Sequence, residues 1–300
     1  MGIINTPLRY PGGKQKIAPF ITEILETNDL YDCNYIEPYA GGAGVAINLL
    51  LNKKVKNIHL NDKCIQIYSF WKTLIKKPEW LCKKILLSPL TIEEWKKQRN
   101  ILKNVDNYNF EDVGFATFYL NRCNRSGILS GGVIGGLDQT GNWKMDARFS
   151  RKDLINRIEA ISNLNNSIKI TKYDAETLLK KLSRNKKRNF IYCDPPYLYK
   201  GEKLYLNHYT SEDHKRISKI IQSIKDNYWV VSYDYNNFIS ELYNKRKKFI
   251  YNLQYHAATA YLGQELFIFS DSLKIPKESI IQQINVGIKK QIRFKEVKNA

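Results

Sequence analysis

The residues with the clearest chemical capacity are Asp194-Pro195-Pro196-Tyr197, directly after the apolar run Asn189-Phe190-Ile191-Tyr192-Cys193. A carboxylate, two rigid prolines and an aromatic at the end of a buried strand can grip a flat ring by its amino group and stack on its face. The carboxylate accepts one N–H. The Pro195 carbonyl, whose direction is restricted by the proline that follows, accepts the other. Two acceptors on one amine draw it towards tetrahedral geometry and free a lone pair otherwise delocalised into the ring. That chemistry suits methyl transfer onto the exocyclic amine of a nucleobase. The same four residues can also simply close a strand into a loop.

A second constellation bears on this choice. Tyr35-Ile36-Glu37-Pro38-Tyr39-Ala40-Gly41-Gly42-Ala43-Gly44-Val45-Ala46 reads as a strand, a glycine-rich turn and a helix running to about Leu51. Glycines let the backbone turn sharply and approach a ligand closely. Asp62 ends the next strand, Asn57-Ile58-His59-Leu60-Asn61, where an acid can accept hydrogen bonds from ribose hydroxyls. The bland alternative is a tight strand–helix turn with Asp62 as a helix cap. A nicotinamide enzyme, reading Gly42-Ala43-Gly44 as part of a dinucleotide turn, leaves Asp194–Tyr197 without a task.

A third motif, Tyr10-Pro11-Gly12-Gly13-Lys14, precedes both. Taken in order, Tyr10–Lys14, Glu37–Gly44 and Asp194–Tyr197 resemble the motifs of the Dam-type (D12, α-group) DNA adenine-N6 methyltransferases, from about Thr6 to Asp271. The resemblance implies an α/β fold: a Rossmann-like S-adenosylmethionine-dependent methyltransferase domain with an inserted, mainly helical DNA-recognition domain carrying a Gly-rich hairpin. It implies catalysis by Asp194, Pro195, Pro196 and Tyr197 on an adenine flipped out of double-stranded DNA. S-adenosylmethionine, leaving as S-adenosylhomocysteine, would be held by Tyr10, Gly12, Lys14, Glu37, Pro38, Tyr39, Gly41, Gly42, Gly44, Asp62 and Asp174. Ala175 follows Asp174 where many members carry an aromatic. Members that recognise GATC tend to carry aromatic-Asn-Gly-Leu-x-Arg; the matching stretch here, Arg125-Ser126-Gly127-Ile128-Leu129-Ser130, lacks the aromatic and the final arginine. GATC is the first sequence to test, not an assumption. Amine methylation of cytosine N4 or of an RNA adenine, and an inactive DNA-binding relative, are the remaining alternatives.

Charge points the same way. The net charge of +19 is uneven: residues 1–62 hold six basic and six acidic side chains, residues 63–188 hold 25 and 12, and residues 189–300 hold 17 and 11. A balanced start and a basic middle fit a polyanionic partner for the middle, although a lysine-rich background would also raise the total. Arg9, Arg122, Arg125, Ser126, Ser130, Lys144 and Arg148 are the candidate DNA contacts. The five cysteines form no Cys-x-x-Cys pair and the four histidines are scattered, so no metal site is expected. No apolar run approaches a membrane span and no signal peptide precedes Tyr10, so a cytoplasmic monomer is expected, with a cognate restriction endonuclease as a conceivable partner.

The elements that must position these residues follow from periodicity. A helix is predicted from Lys16 to about Leu30, helical spacing from Ile65 to about Leu102 with a capped start at Thr91, and a helix over Phe110–Arg122 with Phe115, Phe118 and Tyr119 in the core. Residues 126–148, with six glycines, read as loop or hairpin. Strands are predicted up to Tyr173, before Asp194, over Tyr228–Tyr233, and as a closing hairpin of Phe249–Tyr255 with Glu265–Phe269. Residues 1–62 and 168–271 therefore form one discontinuous catalytic domain, 63–167 a target-recognition insert, and 272–300 a basic tail. The stretch Leu198–Tyr209, rich in Tyr and Lys, is a candidate lid over a flipped base.

Overall fold

The computed structural model describes residues 6–9, 14–185, 188–198, 209–256, 260–276 and 295–296, with backbone alone for Lys16, 251–256, 260–263 and 295–296. The Tyr10 and Gly12 expectations, and nearly all of the 198–209 lid, lie outside the described residues. Among the described residues eight strands form one sheet: β1 (Asn34–Glu37), β2 (Asn57–Asn61), β3 (Ile168–Thr171), β4 (Asn189–Cys193), β5 (Tyr228–Asp234), β6 (Lys248–His256), β7 (Ala260–Phe269) and β8 (Lys295–Glu296). Their order is β3-β2-β1-β4-β5-β7-β6-β8. The first five are parallel. β7 runs antiparallel between β5 and β6, and β8 adds two residues of the tail to the edge of β6.

The centre of the sheet is covered on both faces, which is why β4 is apolar from Phe190 to Cys193 and buried at every position. Successive side chains point to opposite faces. Tyr35, Phe190, Tyr192, Val230, Phe267 and Phe269 join one apolar cluster, with helices α1 (Ala18–Thr27) and α2 (Gly44–Leu51). Ile36, Ile191, Cys193, Trp229, Val231 and Leu266 join the other, under α8 (Ala175–Ser183), α9 (Ser211–Gln222) and α10 (Asn237–Leu242).

Between β2 and β3 run α3 (Ile65–Lys76), α4 (Pro78–Leu87), α5 (Ile92–Lys103), α6 (Phe110–Cys123) and α7 (Arg151–Ser162). The helical stretch from Ile65 divides where prolines remove backbone donors: Pro78 opens α4, and Pro89 precedes the N-cap of α5, where the Thr91 hydroxyl accepts from the Glu94 N–H. Phe115, Phe118 and Tyr119 are buried against Phe70, Trp80 and Phe149. These helices share the first cluster with α1, α2 and the sheet, so one continuous apolar body runs from the strands into the helical region.

Three boundaries differ from the sequence expectation. The first helix begins as a 3-10 turn, Lys14–Ile17, and α1 ends at Thr27, two residues before the left-handed Asp29. β3 stops at Thr171 because the Asn61 side chain takes over the Tyr173 backbone, accepting from its N–H at 2.8 Å and donating to its carbonyl at 3.0 Å. In the glycine-rich segment a single antiparallel bridge, Asn124–Val133, stands where a laddered hairpin was one expectation. The segment is nonetheless anchored, since Val133, Met145 and Phe149 are buried.

Candidate active site

In the strand order β1 leads to β2 on one side and neighbours β4 on the other. The direction in which successive strands are added to the sheet thus reverses between β1 and β4, and in open parallel sheets the crevice beyond the strand ends at such a point binds ligands. Glu37 ends β1, Asp62 follows β2 and Asp194 follows β4. Three carboxylates separated by up to 157 positions in sequence are gathered at one rim.

The turn after β1 is held from all sides. Asp62 Oδ2 accepts from the Gly41 N–H at 2.9 Å, and its Oδ1 accepts from the Cys64 N–H at 2.9 Å. The Trp71 indole donates to the Gly41 carbonyl at 2.9 Å, the Thr6 hydroxyl to the Gly42 carbonyl, and the Asn61 amide to the Pro38 carbonyl at 2.9 Å. Gly41 has φ +47°, and Ala43, the residue before α2, is left-handed at φ 48°. A non-glycine residue in that region costs energy that the surrounding bonds must offset. Glu37 lies beneath the turn, its Oε1 accepting from the Ala46 N–H at 3.2 Å and the Tyr35 hydroxyl at 3.1 Å. Burial pushes the Glu37 carboxyl up to about 8, with the nearby Asp194 charge adding to the rise. Burial likewise lifts Asp62 to about 6.

Asp194 sits in a buried polar network. The Ser232 hydroxyl, on β5, donates to Asp194 Oδ1 at 3.3 Å, and Tyr192 and Ser232 share a hydrogen bond of 2.7 Å. The Lys14 ammonium lies 3.4 Å from Asp194 Oδ1 and hydrogen-bonds to Glu265 on β7. The Tyr197 hydroxyl donates to the same Glu265 Oε1 at 3.2 Å, and Lys14 Nζ lies 5.2 Å from the Tyr197 ring centre. Burial raises Asp194 to about 6, Lys14 counteracting and Glu265 reinforcing the rise, while 22% of its side chain stays exposed. Pro195 is buried and Tyr197 is 6% exposed. Lys14, expected among the cofactor contacts, thus lies beside Asp194. Glu265 and Ser232 complete the network. Glu265 had a sequence signal, an acid directly before the apolar run Leu266–Phe269, but nothing local says what it faces.

A wall of aromatics adjoins this network. Tyr39 and Tyr209 share a hydrogen bond of 3.1 Å, His214 Nδ1 lies 3.2 Å from the Tyr233 hydroxyl, and the Tyr209 and Tyr233 rings pack edge-on against His214, each at 5.5 Å. Asp174 is the N-cap of α8, accepting from the Glu176 N–H at 2.9 Å and paired with Lys63 at 2.9 Å. That pairing and the backbone bonds outweigh the effect of burial and hold its carboxyl below the usual range.

The candidate DNA contacts divide. Arg125, Ser126, Ser130, Lys144 and Arg148 are exposed on the glycine-rich segment, together with Leu137 and Trp143. Arg122 is not. It is buried in α6, its Nε donating to the Pro7 carbonyl at 2.6 Å and Nη1 to the Arg148 carbonyl at 3.5 Å. Burial, with repulsion from Arg157 and Arg9, lowers its guanidinium to about 9. Arg122 therefore ties the N-terminal arm to the helices, and no phosphate reaches it without undoing those bonds. Arg9 is half-buried, its Nη1 donating to the Asn124 carbonyl at 3.1 Å.

Asn121 completes the tie. It accepts from the Arg9 N–H at 2.7 Å and donates to the Arg9 and Gly127 carbonyls at 2.6 and 2.8 Å. Gly127 has φ +76°, and a Cβ there would stand 2.6 Å from the Arg9 carbonyl oxygen. Gly127→Ala should therefore cost about 1–3 kcal/mol of stability, read as a lowered thermal midpoint. An unchanged midpoint would mean the arm re-docks freely.

Among the described residues no group of His, Cys, Asp and Glu could hold a metal ion, and no helix is long and apolar enough to cross a membrane. The protein LPL1258 of Legionella pneumophila, a solved structure, aligns over 96% of this chain and 98% of its own at 14% identity and a TM-score of 0.39, too low to bear on function. The Type II methyltransferase M1.LlaDCHI of Lactococcus lactis subsp. cremoris is 24% identical over 210 residues, which is 68% of this chain and 69% of that protein. Residues 10–258, spanning the N-terminal motif, the glycine turn and Asp194–Tyr197, match the family of D12 class N6 adenine-specific DNA methyltransferases, so this chain is an enzyme of that family.

Proposed function

We propose that the protein transfers the methyl group of S-adenosylmethionine to N6 of an adenine flipped out of a short sequence in double-stranded DNA. The observation that carries this reading is the placement of Asp194, a carboxylate at the rim between β1 and β4, beside a glycine turn bounded by two further carboxylates, buried Glu37 and half-buried Asp62. Glu37 and Asp62 fit a ligand that brings a cationic amine and a ribose diol. Each carboxylate has acceptor capacity beyond the backbone bonds already made. Bound S-adenosylmethionine supplies a methyl carbon made electrophilic by its sulfonium.

The chain's own residues do the rest. Asp194 accepts one N–H of the target amine and the Pro195 carbonyl the other, which turns the lone pair towards in-line attack. Asp194 Oδ then takes the proton released when the new N–C bond forms. The exposed Arg125, Lys144 and Arg148 meet phosphates, and Ser126 and Ser130 reach the groove. A relative named as a Type II methyltransferase supports pairing with a restriction endonuclease.

The test is incubation with labelled S-adenosylmethionine and unmethylated genomic DNA, followed by nucleoside analysis and mapping of modified bases. N6-methyladenine in one recurring motif is expected, with GATC the first to inspect. N4-methylcytosine would change the target base, and no transfer to DNA would overturn the reading. Within it, Asp62→Ala weakens donor binding by about tenfold, the loss of a charge-assisted bond, measured by calorimetry. Unchanged affinity would confine Asp62 to holding the Gly41 and Cys64 N–H groups.

A further inference from the structure

We propose that Glu265 is a positioning residue that takes the closer hydrogen bond of the Lys14 ammonium, so that Asp194, 3.4 Å from that ammonium, keeps acceptor capacity for the target amine. The proposal rests on the adenine-N6 reading of the site. Lys14 is 9% exposed and faces two carboxylates, 3.4 Å from Asp194 Oδ1 and in direct hydrogen bond with Glu265, whose side chain is fully buried. Asp194 has a task that needs free acceptor capacity, and an ammonium bonded to it competes for the lone pairs that the amine must meet. An ammonium buried among apolar groups pairs with whichever carboxylate is present. With Glu265 in place, Lys14 has an alternative partner. Without it, Asp194 is the remaining acid that it contacts among the described residues.

The geometry of β7 makes this possible. In the antiparallel β5–β7 pairing Glu265 lies opposite Asp234, one residue beyond the Tyr233–Leu266 pair. That register brings an acid from a strand distant in sequence to the mouth of β4. The Tyr197 hydroxyl donates to the same Oε1 that Lys14 uses, so the aromatic of the catalytic motif helps orient the acceptor. Burial alone would depress the Lys14 ammonium, but Asp194 and Glu265 together hold it above its ordinary value, so it stays charged. A charged lysine cannot be ignored in a site built to hold a neutral amine against a carboxylate.

The test is single-turnover methylation of duplex DNA by wild type, E265Q, E265D, K14M and K14M/E265Q, with donor affinity and thermal midpoint measured for each. E265Q keeps shape and acceptor capacity and loses the charge. Its rate should fall by about 10²-fold, as for loss of one preorganised electrostatic contact, with donor affinity within about twofold. E265D, which keeps the charge, should stay within about tenfold of wild type. The acid limb of the E265Q rate profile should move to lower pH, because Lys14 then pairs with Asp194 alone. Since Glu265 acts through Lys14, K14M/E265Q should be no slower than K14M. An E265Q rate near wild type, equal losses in E265Q and E265D, an unshifted acid limb, or additive losses in the double variant would each overturn the proposal. A wild-type enzyme that methylates no DNA would instead overturn the functional reading, so the two failures are distinguishable.

Discussion

Asp194→Ala abolishes methyl transfer while leaving donor and DNA binding close to wild type. The expected loss is about 10³-fold or more in the single-turnover rate, because the variant removes both the acceptor for the amine and the group that takes its proton. Binding should survive because the proposed function puts the donor on the turn after β1 and the DNA on the glycine-rich segment, neither of which uses Asp194. The variant also leaves Lys14 on Glu265 and Ser232 on Tyr192, so the network keeps partners for its buried polar atoms. A variant that still turns over would remove Asp194 from the mechanism. One that loses donor binding as well would show that its charge, not its hydrogen bond to the amine, is what the site needs.

Donor affinity should rise steeply with pH below about 8, the value to which burial pushes Glu37 in the free protein. At neutral pH that carboxyl is largely protonated, and a ligand bearing an ammonium and a sulfonium favours the ionised form. Binding therefore releases a proton, and each pH unit below the free-protein value weakens binding by up to about tenfold. Asp62, also raised by burial, to about 6, adds to the slope at more acid pH. The stability of the free protein moves the opposite way. Because the folded-state value lies above the ordinary one, the Glu37 contribution is fully present below its unfolded value and is lost as pH rises through about 8. Calorimetry from pH 6 to 9, in buffers of different ionisation enthalpy, checks both the slope and the proton count. Glu37→Gln should flatten the dependence, and a flat wild-type profile would show that Glu37 does not meet the cation.

Much of this molecule is legible from local pattern. The apolar Phe190–Cys193 run, the glycine turn after Glu37 and the 3.6-residue spacing of the helices are short-range signals, since strand burial, turn geometry and amphipathic faces are set by neighbours in sequence. The closing hairpin was readable for the same reason, and it stands as β6 and β7. The capped helix start at Thr91 was legible because a cap reaches only one helical turn. The order of Tyr10–Lys14, Glu37–Gly44 and Asp194–Tyr197 carried the family resemblance, and the family match covers that same span.

Other features depend on what folding brings together across long separations. An arginine in a basic, glycine-flanked stretch reads as a phosphate contact, yet Arg122 is spent on the Pro7 and Arg148 carbonyls, because α6 passes under the N-terminal arm. Asn61 ends β3 two residues early by replacing its ladder with side-chain hydrogen bonds from another strand. The partner of Lys14 is 251 positions away, and only the antiparallel entry of β7 beside β5 delivers Glu265 to it. The sequence by itself determined the elements, the motifs and the family, because those rest on short-range periodicity and residue type. The tertiary structure decided which charge faces which, because electrostatic pairing depends on distance in space, and only the strand order sets that distance.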